Sequence, residues 1–196
     1  MKRILITMSV LLLVGAGAAL ANETESHPWS AGIVVGGGTG DGDALASLGA
    51  SVSREVAPWL DLGVSLAAFS KTAEHPEDEV GRSYHLESGY GALLLRPKLE
   101  LTDWMELALP IETGSGTLMY RYDREYAEEL RWDEELIDVL TYAYYSIGLE
   151  GQFRLGKRYE ASISGGYQTT SPLRTDLAES NELTGPWARV GVSYRF

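Results

Sequence analysis

The chain is 196 residues long, carries a formal net charge of −12 at pH 7 and contains no cysteine. Its length is that of one domain. The acidic balance argues against nucleic acid as a partner, because phosphates recruit basic patches. The missing cysteines exclude a disulfide framework and thiolate metal sites.

Residues 1–21 read as a secretory signal peptide. Lys2 and Arg3 give it a positive start, residues 4–20 are an apolar run, and Ala19-Leu20-Ala21 supplies small residues before a cleavage site. Removing Lys2 and Arg3 takes the charge from −12 to −14 and is expected to leave residues 22–196 as one barrel domain. No later run approaches the roughly 18–20 apolar residues of a transmembrane helix. The exported chain is therefore expected either to be soluble or to cross a membrane as a closed β-barrel, since only helices and barrels satisfy their backbone in lipid.

Eight strands are expected from period-2 alternation, which places successive side chains on opposite faces. In the first, Trp29, Ala31, Ile33 and Val35 share a face, and the glycine-rich residues 38–43 read as a turn. The second sets Ala46, Leu48, Ala50 and Val52 against Ser47, Gly49, Ser51 and Ser53. The third sets Leu60, Leu62, Val64, Leu66 and Ala68 against Asp61, Gly63, Ser65 and Ala67. In the fourth, residues 84–101, the row Leu86, Tyr90, Ala92 and Leu94 is out of phase with Leu99 and Leu101. A one-residue slip near Arg96-Pro97 is the expected repair, since bulges and proline favour irregular pairing.

The fifth strand shows Met105, Leu107, Leu109 and Ile111 against Glu106, Ala108, Pro110 and Glu112. Residues 120–140 are densely acidic and read either as a short helical excursion or as an extended hairpin tip, with some helix favoured. The sixth opposes Ala143, Tyr145, Ile147, Leu149, Phe153 and Leu155 to Tyr142, Tyr144, Ser146, Glu150, Gln152 and Arg154. The seventh opposes Tyr159, Ala161, Ile163 and Tyr167 to Arg158, Glu160, Ser162, Ser164 and Gln168. The eighth ends the chain, with Ala188, Val190, Val192, Tyr194 and Phe196 on one face and Trp187, Arg189, Gly191, Ser193 and Arg195 on the other.

Long or glycine- and acid-rich connections alternate with tight turns, the pattern of outer-membrane barrels with short periplasmic turns and longer outer loops. Aromatic residues fall near strand ends. Trp29, Trp59, Trp104, Tyr159, Tyr194 and Phe196 are expected at the periplasmic interface, and Tyr84, Tyr120, Tyr122, Tyr142 and Trp187 at the outer one.

On this strand pattern and the terminal row Val190, Val192, Tyr194 and Phe196, the chain resembles the small eight-stranded outer-membrane barrels of the OmpX and OmpA-transmembrane type. The resemblance implies an all-β, antiparallel, up-and-down transmembrane barrel in the outer membrane of a Gram-negative cell. It also implies that the terminal row is the signal read by the barrel-assembly machinery. With Phe196 last, the periplasmic domain of full-length OmpA is expected to be missing.

Asp61, Glu87, Glu106, Glu112, Glu150, Arg154, Arg158, Glu160, Arg189 and Arg195 are expected to face the lumen. Eight strands leave room for little but side chains, and buried charges need partners, so a salt-bridge network is expected, with Arg154–Glu160 as its leading pair. Ser83, His85 and Glu87 share one face and have the residue types of acyl-transfer chemistry. Residues two apart on a strand stand about 6.5–7 Å apart, too far for a nucleophile–base bond, so no catalytic role is assigned.

No metal site or cofactor is expected. The acidic residues 123–138 lack the spaced ligands of a calcium loop, which leaves a diffuse cation surface toward lipopolysaccharide. The expected function is a non-enzymatic barrel with a packed polar lumen and acidic outer loops, serving envelope integrity or surface interaction. A narrow pore or transporter for small or apolar solutes and a lipid A-modifying acyl hydrolase are the alternatives.

Overall fold

The first and last strands of the chain hydrogen-bond to each other. The Trp29 N–H donates to the Phe196 carbonyl at 3.0 Å and the Phe196 N–H donates to the Trp29 carbonyl at 2.9 Å. In the computed structural model, which describes residues 29–40, 43–71, 84–122, 136–173 and 183–196, this pairing closes an antiparallel barrel. Closure leaves no strand edge to template aggregation.

The strands are β1 (Trp29–Gly40), β2 (Asp43–Ala57), β3 (Leu60–Lys71), β4 (Tyr84–Thr102), β5 (Met105–Ala108), β6 (Ile111–Tyr122), β7 (Leu136–Arg154), β8 (Tyr159–Thr170) and β9 (Gly185–Arg195). β5 and β6 are two halves of one stave, so nine segments make eight staves. Pro110 has no N–H to give the ladder, yet Ala108↔Glu150 and Ile111↔Ile147 keep one register across the gap. The Pro110 carbonyl still accepts the Gly148 N–H at 3.0 Å, and the Leu109 N–H donates to the Pro97 carbonyl at 2.8 Å.

Both termini of the described chain and the turns at residues 58–59, 103–104 and 155–158 lie at one end of the barrel, the turn end. Gly156 has φ +100° in the last of these, a conformation that costs glycine little. Residues 41–42, 72–83, 123–135 and 174–182 connect the staves at the other end, the loop end.

The expected alternation holds in most staves, with apolar side chains outward. Ile33, Leu48, Ile147, Leu149, Ile163, Val190 and Val192 all face out, and Leu93 is 66% exposed. β4 departs from expectation. Its pairing with β3 and with β5 and β6 runs through Arg96 and Pro97 without a slip, and the ladder is irregular only near Thr102. Leu86, Tyr90, Ala92 and Leu94 therefore point inward, while Leu93, Leu95, Leu99 and Leu101 form the outward row.

Three further expectations change. β1 and β2 pair as far as Gly40↔Asp43, so the glycines taken as a turn extend the ladder and two residues connect the strands. Of the acidic segment, Tyr120–Tyr122 and Leu136–Leu140 belong to β6 and β7, and residues 123–135 lie outside the described residues. Tyr120, Tyr142 and Trp187 are buried in the lumen rather than set in an outer girdle, and Tyr145 and Tyr167 are exposed outside instead. At the turn end, Trp59, Trp104 and Tyr159 are exposed, Trp104 stacks on Phe153 at 6.1 Å, and Tyr194 stacks on Phe196 at 6.1 Å.

Trp187 lies across β7 and β8 because two glycines make room for it. A Cβ on Gly148 would come 2.6 Å from Trp187 Cζ2 and 2.9 Å from the Gly165 carbonyl, and one on Gly166 would meet the same ring at 2.7 Å. Overpacking of this kind costs about 1–3 kcal/mol. Gly148→Ala is expected to lower the urea midpoint of the refolded protein accordingly, with no such loss for Gly165→Ala, whose Cβ has no neighbour closer than 3.5 Å.

Candidate functional site

Inward-facing residues fill the barrel in three layers. The layer at the turn end is ionic. Lys98 Nζ sits 2.7 Å from Glu55 Oε2 and 2.9 Å from Asp61 Oδ1, with Glu106 Oε2 at 4.0 Å. Arg195 bridges Glu55 at 3.2 Å and Glu160 at 2.9 Å, tying β2 to β8 across β9 and β1. Arg96 reaches Glu150 at 3.5 Å and Asp61 at 4.0 Å. Arg154 pairs with Glu106 and at 3.1 Å with Glu100, and donates to the Asp103 carbonyl at 2.9 Å. Gln152 Nε2 donates to Glu150 Oε1.

The middle layer is built on one carboxylate. Glu112 Oε2 accepts from Tyr90 Oη at 3.0 Å, Tyr144 Oη at 3.3 Å and Arg189 Nη1 at 3.3 Å. Arg189 Nη2 also donates to Tyr144 Oη at 3.3 Å, and its guanidinium lies 4.3 Å from the centre of the Trp187 ring. Trp187 Nε1 donates to Ser146 Oγ at 3.0 Å. The glycine bed under Trp187 thus sets the plane on which Arg189 rests. A charge this deep needs such a set of partners, because an unpaired one costs several kcal/mol.

The layer at the loop end is apolar and aromatic. Leu45, Phe69, Leu86, Leu118, Tyr120 and Tyr142 fill it, with Leu118 at 0% exposure. Leu173 and Leu183, from the ends of the connection between β8 and β9, complete it. Gln168 Nε2 donates to the Leu183 carbonyl at 3.0 Å and holds that end in place. The hydroxyls of Tyr142 and Ser88 hydrogen-bond to each other at 2.6 Å, while Thr170 Oγ1 at the same end is buried without a partner.

Asp61, Glu106, Glu112, Glu150, Arg154, Glu160, Arg189 and Arg195 all fall within or at the mouth of this interior. Three expectations do not survive. Arg154 and Glu160 oppose each other in the ladder, but Arg154 turns to Glu106 and Glu100 while Glu160 is engaged by Arg195. Glu87 lies on the outward face and pairs with Arg121 at 3.4 Å. Arg158 is exposed at the turn end, where it donates to Tyr194 Oη at 2.7 Å. The lumen is also less uniformly polar than expected. Ser83 and the side chain of His85 lie outside the described residues. Glu55, Arg96 and Lys98 were missed, although the odd-numbered row Leu93, Leu95, Leu99 and Leu101 is the signal that turns Arg96 and Lys98 inward.

No protein-family model and no curated protein matches the chain. Solved structures do. Neisserial surface protein A aligns with a TM-score of 0.61 at 10% identity, covering 89% of this chain and 100% of that one. A major outer membrane protein from Thermus thermophilus aligns at 0.54 and 14%, covering 88% and 100%. Ail, the attachment invasion locus protein of Yersinia pestis, aligns at 0.53 and 13%, also covering 88% and 100%. At such identities the likeness is one of fold. This chain has the fold of the small outer-membrane barrels.

The choice of partner at the turn end is testable by double-mutant cycles. Arg195 and Glu160 are expected to couple by about 0.5–3 kcal/mol, as residues in contact do. Arg154 and Glu160, opposite in register but bonded elsewhere, are expected to fall within about 0.5 kcal/mol of additivity. Truncating Arg189 alone, which leaves Glu112 buried without its cation, is expected to cost about 3–5 kcal/mol in urea unfolding of the refolded protein.

Proposed function

We propose that residues 22–196 form a non-enzymatic barrel of the outer membrane, released from a signal peptide at residues 1–21, and that it serves envelope integrity or contact at the cell surface. One observation carries this reading, the inversion of polarity between the two faces. Ile33, Leu48, Leu93, Ile147 and Ile163 are exposed on the outside, while Asp61, Glu106, Glu112, Glu150 and Arg189 are buried inside. A soluble barrel, including one of lipocalin type, buries its apolar face. An outward apolar band of this size in water exceeds what monomeric proteins expose, whereas a lipid-spanning barrel requires it.

The filled lumen favours the structural role over open transport. The apolar layer is filled mainly by leucine side chains and aromatic rings, which offer little to replace a solute's hydration. On this reading the acidic residues of 123–138 meet lipopolysaccharide, with divalent cations between their carboxylates and its phosphates. The row Val190, Val192, Tyr194 and Phe196, along the outward face of β9 and the chain end, is the part offered to the barrel-assembly machinery.

The expected outcome is a mobility difference between boiled and unboiled protein on an SDS gel after refolding in detergent, with near-baseline conductance in a planar bilayer. Leu93→Arg and Ile163→Arg are each expected to cost about 2–4 kcal/mol in vesicles, the range for arginine at the bilayer midplane. In a soluble barrel the same exposed positions would accept arginine at little cost. Tolerance at both sites, with no gel shift, would remove the membrane reading.

A further inference from the structure

A cavity of about 40 Å³ lies at mid-barrel, between the ionic layer at the turn end and the middle layer around Glu112. Ser65, Arg96, Glu112, Glu150, Ser164 and Arg189 supply its polar walls. Ser65 Oγ is buried without a hydrogen-bond partner, and Arg96 Nε, which makes no hydrogen bond either, faces Glu150 Oε1 only at ion-pair distance, 3.5 Å. A second space of about 10 Å³ lies in the turn-end network, and Arg96 lines it too. A water needs roughly 10–15 Å³ and two to four polar partners. The walls carry two guanidiniums and two carboxylates already paired, Arg96 with Glu150 and Arg189 with Glu112, so a neutral ligand fits better than an ion.

We propose that this cavity is a hydrated site holding about two or three waters, supplied from the turn end past Arg96. The seal against ions is then the apolar layer above it and not the salt bridges. Paired charges and water replace part of a passing ion's hydration, whereas a constriction filled mainly by leucine side chains and aromatic rings replaces little of it and gates by staying dry. Leu118 and Leu183 are the least exposed side chains of that layer, at 0% and 1%. Leu183 comes from the connection between β8 and β9, so the seal is finished by a residue outside the staves.

This inference rests on the membrane-barrel reading, and the experiment separates the two. Full-length protein, Leu118→Ser/Leu183→Ser and Glu112→Gln/Arg189→Gln are each refolded, checked by boiled and unboiled gel mobility, and measured in planar bilayers. Wild type and the charge-pair variant are expected to stay near baseline, and the double serine variant to conduct at least tenfold more. Because the chain has no cysteine, an introduced thiol is its only one. Ser65→Cys in detergent is expected to react with silver ion at least tenfold faster than Leu118→Cys. Conductance gained by the charge-pair variant but not by the serine variant overturns the proposal. So does equal silver reactivity of the two thiols, which decides the matter even where a variant fails to fold. Absence of a gel shift in wild type instead removes the membrane reading beneath it.

Discussion

Backbone hydrogen bonding between β9 and β1 is the constraint on which the rest of this structure depends. A lipid environment offers no water to an unpaired N–H or carbonyl, so every stave must find two neighbours. Register follows from closure. The side-chain period is two, and a one-residue shift in any ladder would send a whole stave's apolar row into the lumen. From Ser30↔Arg195 to Gly38↔Trp187 the seam pairs without interruption. That fixes Trp187, Arg189 and Arg195 inside and Val190 and Val192 outside. The same seam brings Arg195 within reach of both Glu55 and Glu160, so the closing strand also joins the ionic layer.

Closure with eight staves leaves an interior that side chains must fill, and the filling explains several local choices. Pro110 interrupts the hydrogen-bond pattern of its stave without moving the register, which keeps Glu106 and Glu112 on one inward row. Gly148 and Gly166 give up side chains of their own to bed Trp187, whose ring in turn lies beside the Arg189 guanidinium. Arg189 then completes the set of three donors on Glu112 Oε2. A glycine on β7 thus influences a charge on β9 through one aromatic plane.

β3, β7 and β9 were legible in the sequence because only one of their faces is apolar along most of their length. β4 was not, since Leu93, Leu94 and Leu95 satisfy both phases and its inward row, Leu86, Tyr90, Ala92 and Leu94, is apolar as well. Periodicity reports that a face is apolar, not whether it meets lipid or an apolar plug. For the same reason Tyr120, Tyr142 and Trp187 read as girdle aromatics although they are lumen fillers. The ionic layer was legible in its residue types but not in its pairing. Arg154 and Glu160 are neighbours in the ladder, but a long arginine chooses among all carboxylates within reach, and Glu106 on the neighbouring stave wins.

Charge inside the barrel is close to balanced, with Glu55, Asp61, Glu106, Glu112, Glu150 and Glu160 facing Arg96, Lys98, Arg154, Arg189 and Arg195. Nearly all of the chain's net −12 must therefore reside elsewhere. The sequence puts much of it in the loop-end connections, where Glu74, Glu77, Asp78 and Glu79 outnumber Arg82, and Asp123, Glu125, Glu128, Glu129, Asp133, Glu134 and Glu135 outnumber Arg124 and Arg131. Acids concentrated at that end would repel one another and draw cations. The apolar layer stands between the loop end and Glu112, whose partners are the Arg189 guanidinium and the Tyr90 and Tyr144 hydroxyls. Among the described residues, the apolar layer, the Glu112 layer and the balanced ionic layer thus keep the interior near neutral while most of the chain's acids lie outside it.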